Sequence, residues 1–178
     1  MKQNIDVFEY FNTILNSVKT GVLVTTKVGN KINCMTISWG QIGIEWNKLI
    51  FTIFIRKGRF THDLLEKSGE FTINIPFDNE ANEILKFCGT KSGKDIDKIN
   101  ELKLNIVEGD KIETPGIKEL PLTLECKIIY KQIQDENMIM PEIKKRFYPN
   151  NVSSSYAGSN QDLHTMFYGE IIGAYIAK

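Results

Sequence analysis

Charge of one sign is missing from this chain. Its 178 residues carry 22 Lys+Arg against 22 Asp+Glu, a formal net charge of zero. That balance excludes a strongly basic nucleic-acid binder and a polybasic membrane anchor. Long hydrophobic runs are missing too. The longest apolar stretch, around Leu49–Ile55, falls far short of the roughly 18 residues that a membrane span needs. The opening residues MKQNIDVFEYF contain no apolar signal-peptide core. Cysteine is scarce: Cys34, Cys88 and Cys126 are odd in number and no two are spaced C-x-x-C, so neither a disulfide framework nor a zinc ribbon is indicated. Reduced thiols in a cytoplasmic protein are the expectation. Arginine is the scarcest cation, with 3 Arg beside 19 Lys. Two of them, Arg56 and Arg59, share one short segment, which raises the question of what there needs a planar fork.

Hydrophobic residues make up 42% of the chain. This is ordinary for a globular protein, and the length suits a single domain over residues 1–178 with a core of its own. Apolar residues at helical spacing predict a helix over about residues 6–18, with Asp6 as cap and Glu9 in a capping-box position. Strands are expected at Thr20–Lys27 and Lys31–Ser38, joined by a Gly29-Asn30 turn, and at Lys48–Ile55 and Glu70–Ile75. Two more are expected at Leu122–Ile133 and Thr165–Ala177. Leu122, Leu124, Cys126, Ile128 and Tyr130 alternate with Thr123, Glu125, Lys127 and Lys131, the pattern of a half-buried antiparallel strand. Short helices are expected at His62–Lys67, capped by Thr61 and followed by Gly69, and at Asp78–Phe87, ended by Gly89. Residues 134–161 read as irregular, a segment suited to carrying substrate selectivity. No strict strand–helix alternation appears. The chain therefore reads as an antiparallel β-barrel or sandwich with peripheral helices.

Several catalytic signatures are excluded. Gly89-Thr90-Lys91-Ser92-Gly93-Lys94 has one residue too few between its glycines for a phosphate-binding P-loop, and Asp95 stands where Ser or Thr should hold magnesium. There is no G-x-G-x-x-G, no H-E-x-x-H and no G-x-S-x-G, and no metal site is expected.

Two segments carry chemistry of their own. The first runs Arg56-Lys57-Gly58-Arg59-Phe60-Thr61, from a strand into a helix. Guanidinium forks, a hydroxyl and the free amides of a helix start suit a phosphate. A solvated basic turn has the same composition. The second is Asn33-Cys34-Met35-Thr36-Ile37-Ser38-Trp39, a strand end offering polar groups beside an aromatic wall. It suits a flat heteroaromatic ligand with a polar edge. An ordinary barrel strand running out to solvent reads the same way. Trp39 could flank a ligand, meet a partner subunit or fill the core. Cys88 reads as a packing residue.

Four motifs occur in order: N-C-M-T-I-S-W-G, R-K-G-R-F-T-H-D-L-L, C-G-T-K-S-G-K-D-I-D-K and H-T-M-F-Y-G-E-I. Together they resemble the flavin reductase-like family of FMN-binding split-barrel proteins, which includes flavoredoxins. The similarity covers roughly Thr20 to Ala177. The resemblance implies a mainly β fold, a six-stranded antiparallel Greek-key split β-barrel with short peripheral helices. It also implies a homodimer with FMN near the interface.

By the same resemblance, Asn33, Met35, Thr36, Ile37, Ser38 and Trp39 line the flavin. Arg56, Arg59, Phe60 and Thr61 form the phosphate turn. Ser92, Gly93 and Lys94 match a Ser-Gly-Arg/Lys turn, with Lys94 where Arg is commoner. His164 matches the residue before the last strand, close to the flavin, and is the candidate catalytic residue; a lone histidine at a strand start reads equally as a satisfied structural residue.

The expected activity is that of an NAD(P)H-dependent oxidoreductase. Electrons would pass from NADH or NADPH through FMN to free flavin, a redox-protein partner or a small oxidant. Such chemistry asks the protein to orient the ring and hold the phosphate rather than to supply an acid or nucleophile, so the lack of a catalytic triad is expected. An electron carrier without nicotinamide activity and a non-catalytic FMN-binding protein are the alternatives.

Overall fold

The computed structural model describes residues 1–78 and 80–178. Strand β1 (Lys2–Asn4) and a 3-10 turn (Val7–Tyr10) lead into helix α1 (Phe11–Thr20). Strands β2 (Val22–Val28), β3 (Lys31–Ile37), β4 (Gly40–Glu45) and β5 (Lys48–Arg56) follow, then α2 (Phe60–Ser68), β6 (Glu70–Ile75), α3 (Asn82–Thr90) and α4 (Lys98–Glu101). A small ribbon, β7 (Ile106–Val107) and β8 (Gly116–Ile117), precedes the long β9 (Leu122–Ile133). Helix α5 (Pro141–Phe147) and the final strand β10 (His164–Ala177) complete the chain.

Every ladder is antiparallel, and the main sheet runs β3-β2-β6-β9-β10-β5-β4 with β1 added against β10. Strands β3 and β4 lie at opposite ends of this order, yet only Ser38 and Trp39 separate them in the chain. Three Cα steps span at most about 11 Å. The sheet must therefore curl until its two ends almost meet. Among the described residues no ladder joins β3 to β4, so the barrel stays open along a seam that Ser38 and Trp39 bridge.

The interior is filled by Val22 and Val24 of β2, Ile53 and Ile55 of β5, Phe71 and Ile73 of β6, Leu122 and Leu124 of β9 and Phe167 of β10. Each such side chain contributes roughly 1.5–3 kcal/mol on burial. Ile14 and Val18, one helical turn apart on α1, join the same core, which is why α1 lies against the barrel. A second cluster lies outside the barrel, where Leu23 and Cys34 meet Ala81, Leu85 and Cys88 of the α3 segment.

The mainly β antiparallel fold matches the expectation, with corrections of detail. Six strands become eight in the main sheet and two in the ribbon, among the described residues. Asp6 caps the 3-10 turn rather than α1, accepting from the Phe8 amide, and α1 continues to Thr20. Phe8 and Leu15, two of the apolar residues whose spacing predicts the helix over residues 6–18, are exposed. Thr61 is not the cap of α2; Arg59 holds that position, and Gly69, at φ +68°, ends the helix as expected. The expected start of the next helix at Asp78 runs through Asn79, outside the described residues. The helix seen is α3, and Gly89 falls inside it. The first half of β9 is buried on both faces, Thr123 and Glu125 included, because the ribbon and its flanking loop cover the side expected to face water.

Candidate functional site

A cavity of about 520 Å³ opens at the seam. Its wall takes Met35, Thr36 and Ile37 from the end of β3, Ser38 and Trp39 from the bridge, and Phe54 and Arg56 from β5. Arg59, Phe60 and Thr61 come from the start of α2, and Ser92 and Gly93 from the turn after α3. His164, at the head of β10, closes one side. The expected site residues thus converge from four chain segments, except Asn33, which is buried behind the wall, and Lys94, which is outside the lining. Lys94 points outward, 3.8 Å from the Asp63 carboxylate.

Asn33 is buried behind Thr61, to whose hydroxyl its Nδ2 donates at 2.9 Å. Its Oδ1 lies so close to Gly93 that a Cβ on that residue would collide with it, and would meet the Phe60 ring at 3.0 Å. Glycine at 93 is what lets the Ser92–Lys94 turn dock on β3 and α2. Within that turn the Ser92 hydroxyl accepts from the Lys94 amide at 3.2 Å.

The basic corner is organised by segment 147–162. Arg56 donates to the carbonyls of Asn160 (3.2 Å), Phe147 (2.9 Å) and Asp162, and its guanidinium stands 5.0 Å from the Tyr148 ring centroid. Arg59 donates to the carbonyls of Tyr156 (2.7 Å) and Ala157 (3.0 Å). Asp162 accepts from the Gly58 amide at 2.9 Å and from the Ser154 hydroxyl, which ties the turn to the loop. Burial, foremost, lowers the pKa of both arginines. Ser154, Ser155, Gly158 and Ser159 carry this loop along the cavity wall. Arg56 is committed to the loop by three carbonyl bonds. Arg59 lines the cavity and bonds the loop through one terminal nitrogen, so its other N–H groups are uncommitted among the described residues. Phe60 and Thr61, which open α2, add amides ahead of the first intrahelical bond, while the His62 amide donates to the Arg59 carbonyl at 2.9 Å.

His164 pairs with Arg56 across the β10–β5 ladder. Its Nδ1 lies 2.8 Å from the Tyr148 hydroxyl, which itself donates to Gln134 Oε1 at 2.7 Å. The same Oε1 accepts from the His164 amide at 3.3 Å. With Tyr148's single proton given to Gln134, the proton between Tyr148 and His164 must sit on Nδ1. Nε2 is then the bare nitrogen. Burial, and next the positive Arg56 and Arg59, push the imidazole pKa down to about 3. At neutral pH His164 is an uncharged hydrogen-bond acceptor at Nε2, not a proton donor. Trp39 leans on it, with centroids 5.0 Å apart, and meets Phe147 edge-on at 5.2 Å. His62 lies outside the wall, its Nε2 2.9 Å from the Thr165 hydroxyl, and joins α2 to β10.

Sequence reasoning missed Lys98, which is buried in the wall and donates to the Cys88 carbonyl at 3.1 Å. It also missed Asp162, and it placed Phe147 and the serine-rich loop only within the irregular segment 134–161 read as suited to selectivity. Only the polar run Asn150–Ser155 could have signalled the last of these.

The cavity is apolar and aromatic at Met35, Trp39 and Phe54 and cationic at Arg56, Arg59 and Lys98. Its volume lies in the range of small-molecule and cofactor sites, about 300–1,000 Å³. Such a place has the shape and charge to fit a flat ring bearing an anionic tail.

Residues 15–178 match the family model described as the flavin reductase like domain, and the chain belongs to that family. An uncharacterised protein of Archaeoglobus fulgidus is 31% identical over 115 residues, 64% of this chain and 63% of that protein. One of Pyrococcus abyssi is 27% identical over 106 residues, 60% of this chain and 59% of that protein. The matched stretch is thus under two thirds of either relative's length. Among solved structures, the flavoredoxin of Methanosarcina acetivorans superposes with a TM-score of 0.65 at 23% identity, covering 89% of this chain and 68% of that one. An FMN-binding domain of a flavin reductases-like enzyme from Shewanella baltica gives 0.69 at 18% identity, covering 99% and 77%. These likenesses establish the split-barrel fold.

Proposed function

We propose that the seam cavity holds FMN and that the protein is an oxidoreductase, taking electrons from NADH or NADPH and passing them to free flavin, a redox-protein partner or a small oxidant. The supporting observation is the polarity of one cavity: aromatic at Trp39 and Phe54, cationic at Arg56 and Arg59 beside the start of α2. Met35, Thr36, Ile37, Ser38 and Trp39 would hold the ring. Arg59, Phe60, Thr61, Ser92 and Gly93 would surround the phosphate, and Arg56 would hold the loop that closes over it. FMN, when bound, supplies the acceptance and release of two electrons. The chain supplies orientation, exclusion of water and fixed dipoles. His164 contributes a neutral acceptor nitrogen beside the ring wall.

The FMN-binding proteins among the solved likenesses support this reading, as does the NADH:FAD oxidoreductase of Streptomyces globisporus. So does the flavoredoxin likeness, which favours the carrier alternative equally. Titration of the purified protein with FMN, followed by stopped-flow mixing with NADH and NADPH, tests both. Micromolar or tighter binding and rapid bleaching of bound flavin are expected. A protein that ignores FMN overturns the site, and one that binds FMN yet leaves it oxidised with both nicotinamides is a carrier.

The proposal extends to a homodimer in the cytoplasm. Ile44 and Trp46 on the β4–β5 hairpin and Tyr130 of β9 are exposed apolar side chains. Trp46 packs edge-on to Tyr130 at 5.9 Å, and Tyr130 to Tyr168 at 5.1 Å. A second copy is the proposed cover.

A further inference from the structure

Two of the three cysteines, 54 residues apart in sequence, meet in the fold. Cys34 Sγ of β3 and Cys88 Sγ of α3 are 3.4 Å apart in the second hydrophobic cluster, both fully buried. Cys126 lies elsewhere, inside the barrel. We propose that Cys34 and Cys88 are a peroxide-sensitive dithiol pair that closes into a reversible disulfide between β3 and α3, at the back of the cavity wall.

Three observations carry this. First, a disulfide sulfur–sulfur bond is about 2.05 Å, so the pair needs only about 1.4 Å of approach. Second, the buried Lys98 ammonium is bonded to the Cys88 carbonyl at 3.1 Å, and among the described residues it forms no ion pair with a carboxylate. A buried cation favours an anion beside it, and the charges of Cys34 and Cys88 both act on Lys98 in that sense. The two sulfurs differ in place: Cys88 lines the cavity and Cys34 stands behind it, and the positive Lys98 lowers the Cys88 pKa against burial, which raises it. Cys88 is therefore the nucleophile and Cys34 the partner that resolves it. Third, Cys88, Gly89 and Lys98 belong to the cavity wall, and Cys88 lies near the C-terminal end of α3. Local opening of that helix end admits a molecule as small as hydrogen peroxide.

The steps balance. The Cys88 thiolate attacks one peroxide oxygen, the O–O bond breaks, hydroxide leaves, and Cys88 becomes the sulfenic acid. Cys34 sulfur then attacks that sulfur, its thiol proton joins the departing hydroxyl, and water leaves as the S–S bond forms. Two thiols are oxidised and one peroxide is reduced to two waters. The exchange requires no bound flavin, so its test stands apart from the proposed function.

The purified 178-residue chain is treated with hydrogen peroxide, quenched with catalase, unfolded and alkylated with iodoacetamide before peptide mass spectrometry. The expected result is one label, on Cys126, in place of three, with a linked Cys34–Cys88 peptide about 2 Da below its reduced mass. Dithiothreitol restores three labels. In C34S, dimedone adds to Cys88; in C88S, Cys34 stays unmodified. Three labels after treatment, a bridge that includes Cys126, or dimedone addition at Cys34 in C88S would each overturn the proposal.

Discussion

Asn33 Nδ2 donates to Thr61 Oγ1 at 2.9 Å, and the Asn33 carboxamide oxygen lies against Gly93. One buried side chain on β3 thereby sets the positions of α2 and of the turn at residues 92–94, so two cavity walls depend on a residue that is not itself part of the wall. Asn33→Ala should lower stability by about 1–3 kcal/mol, the cost of leaving a buried hydroxyl without its donor. It should also weaken FMN binding through wall displacement. Urea unfolding and FMN titration read the two effects. Wild-type values in both would remove Asn33 from this positioning role.

Gly93→Ala places a methyl against Asn33 and the Phe60 ring. Overpacking of this kind costs about 1–3 kcal/mol. The expected outcome is a lower urea midpoint with weaker FMN binding, while Lys94→Ala, which removes only a long exposed ion pair, leaves stability near wild type.

The two arginines of the basic turn should separate cleanly. Arg59→Ala is expected to weaken FMN binding ten- to a hundredfold, roughly 1.5–3 kcal/mol for a lost charge-assisted contact. Its effect on unfolding should be smaller. Arg56→Ala strips the carbonyls of Phe147, Asn160 and Asp162 of their donor. It should cost about 2–3 kcal/mol in urea unfolding and loosen segment 147–162, seen as faster amide exchange there. Equal effects of the two substitutions on both readouts would refute this division of labour.

Acid should destabilise the flavin-free fold through His164. The imidazole is held at about 3 when folded, against 6.5 when free, so below 6.5 the unfolded chain binds a proton that the native chain refuses. Stability contributed by the neutral ring is complete above pH 6.5 and falls as pH drops from there toward 3. At pH 5 the loss is about 2 kcal/mol. Urea midpoints of wild type and His164→Gln at pH 7 and pH 5 should show a shallower pH dependence in the variant. Parallel slopes would contradict the depressed value.

Trp46→Glu introduces a carboxylate into the exposed face with Ile44 and Tyr130. If a second copy covers that face, sedimentation should show the wild type as a dimer at micromolar concentration and the variant as a monomer. A monomeric wild type would refute the dimer.

Much of the barrel was legible because its strands have strong local signatures. β5 is almost entirely apolar, and β2–β3 is a hairpin punctuated by Gly29-Asn30. β4 escaped because its hairpin turns at Trp46 and Asn47, at φ of +52° and +57°. A tight turn of that hand usually advertises itself with Asn-Gly or Asp-Gly, and a tryptophan there conceals it. β4 itself carries two glycines in six residues, which blurs its alternation. Helix α5 was missed for a different reason: it is short, exposed and solvated, and leaves little apolar periodicity to read.

The sequence by itself determined that this chain forms an antiparallel β fold, that a basic turn leads into a helix, and that four motifs stand in the order shared with the flavin reductase-like family. Those are properties of local spacing and composition. Only the tertiary structure decided that Arg56 is spent on loop carbonyls, that Tyr148 and Gln134 settle the proton on His164, and that Cys34 and Cys88 touch. Each of these joins residues remote in the chain, and closure of the barrel around its seam brings them within bonding distance.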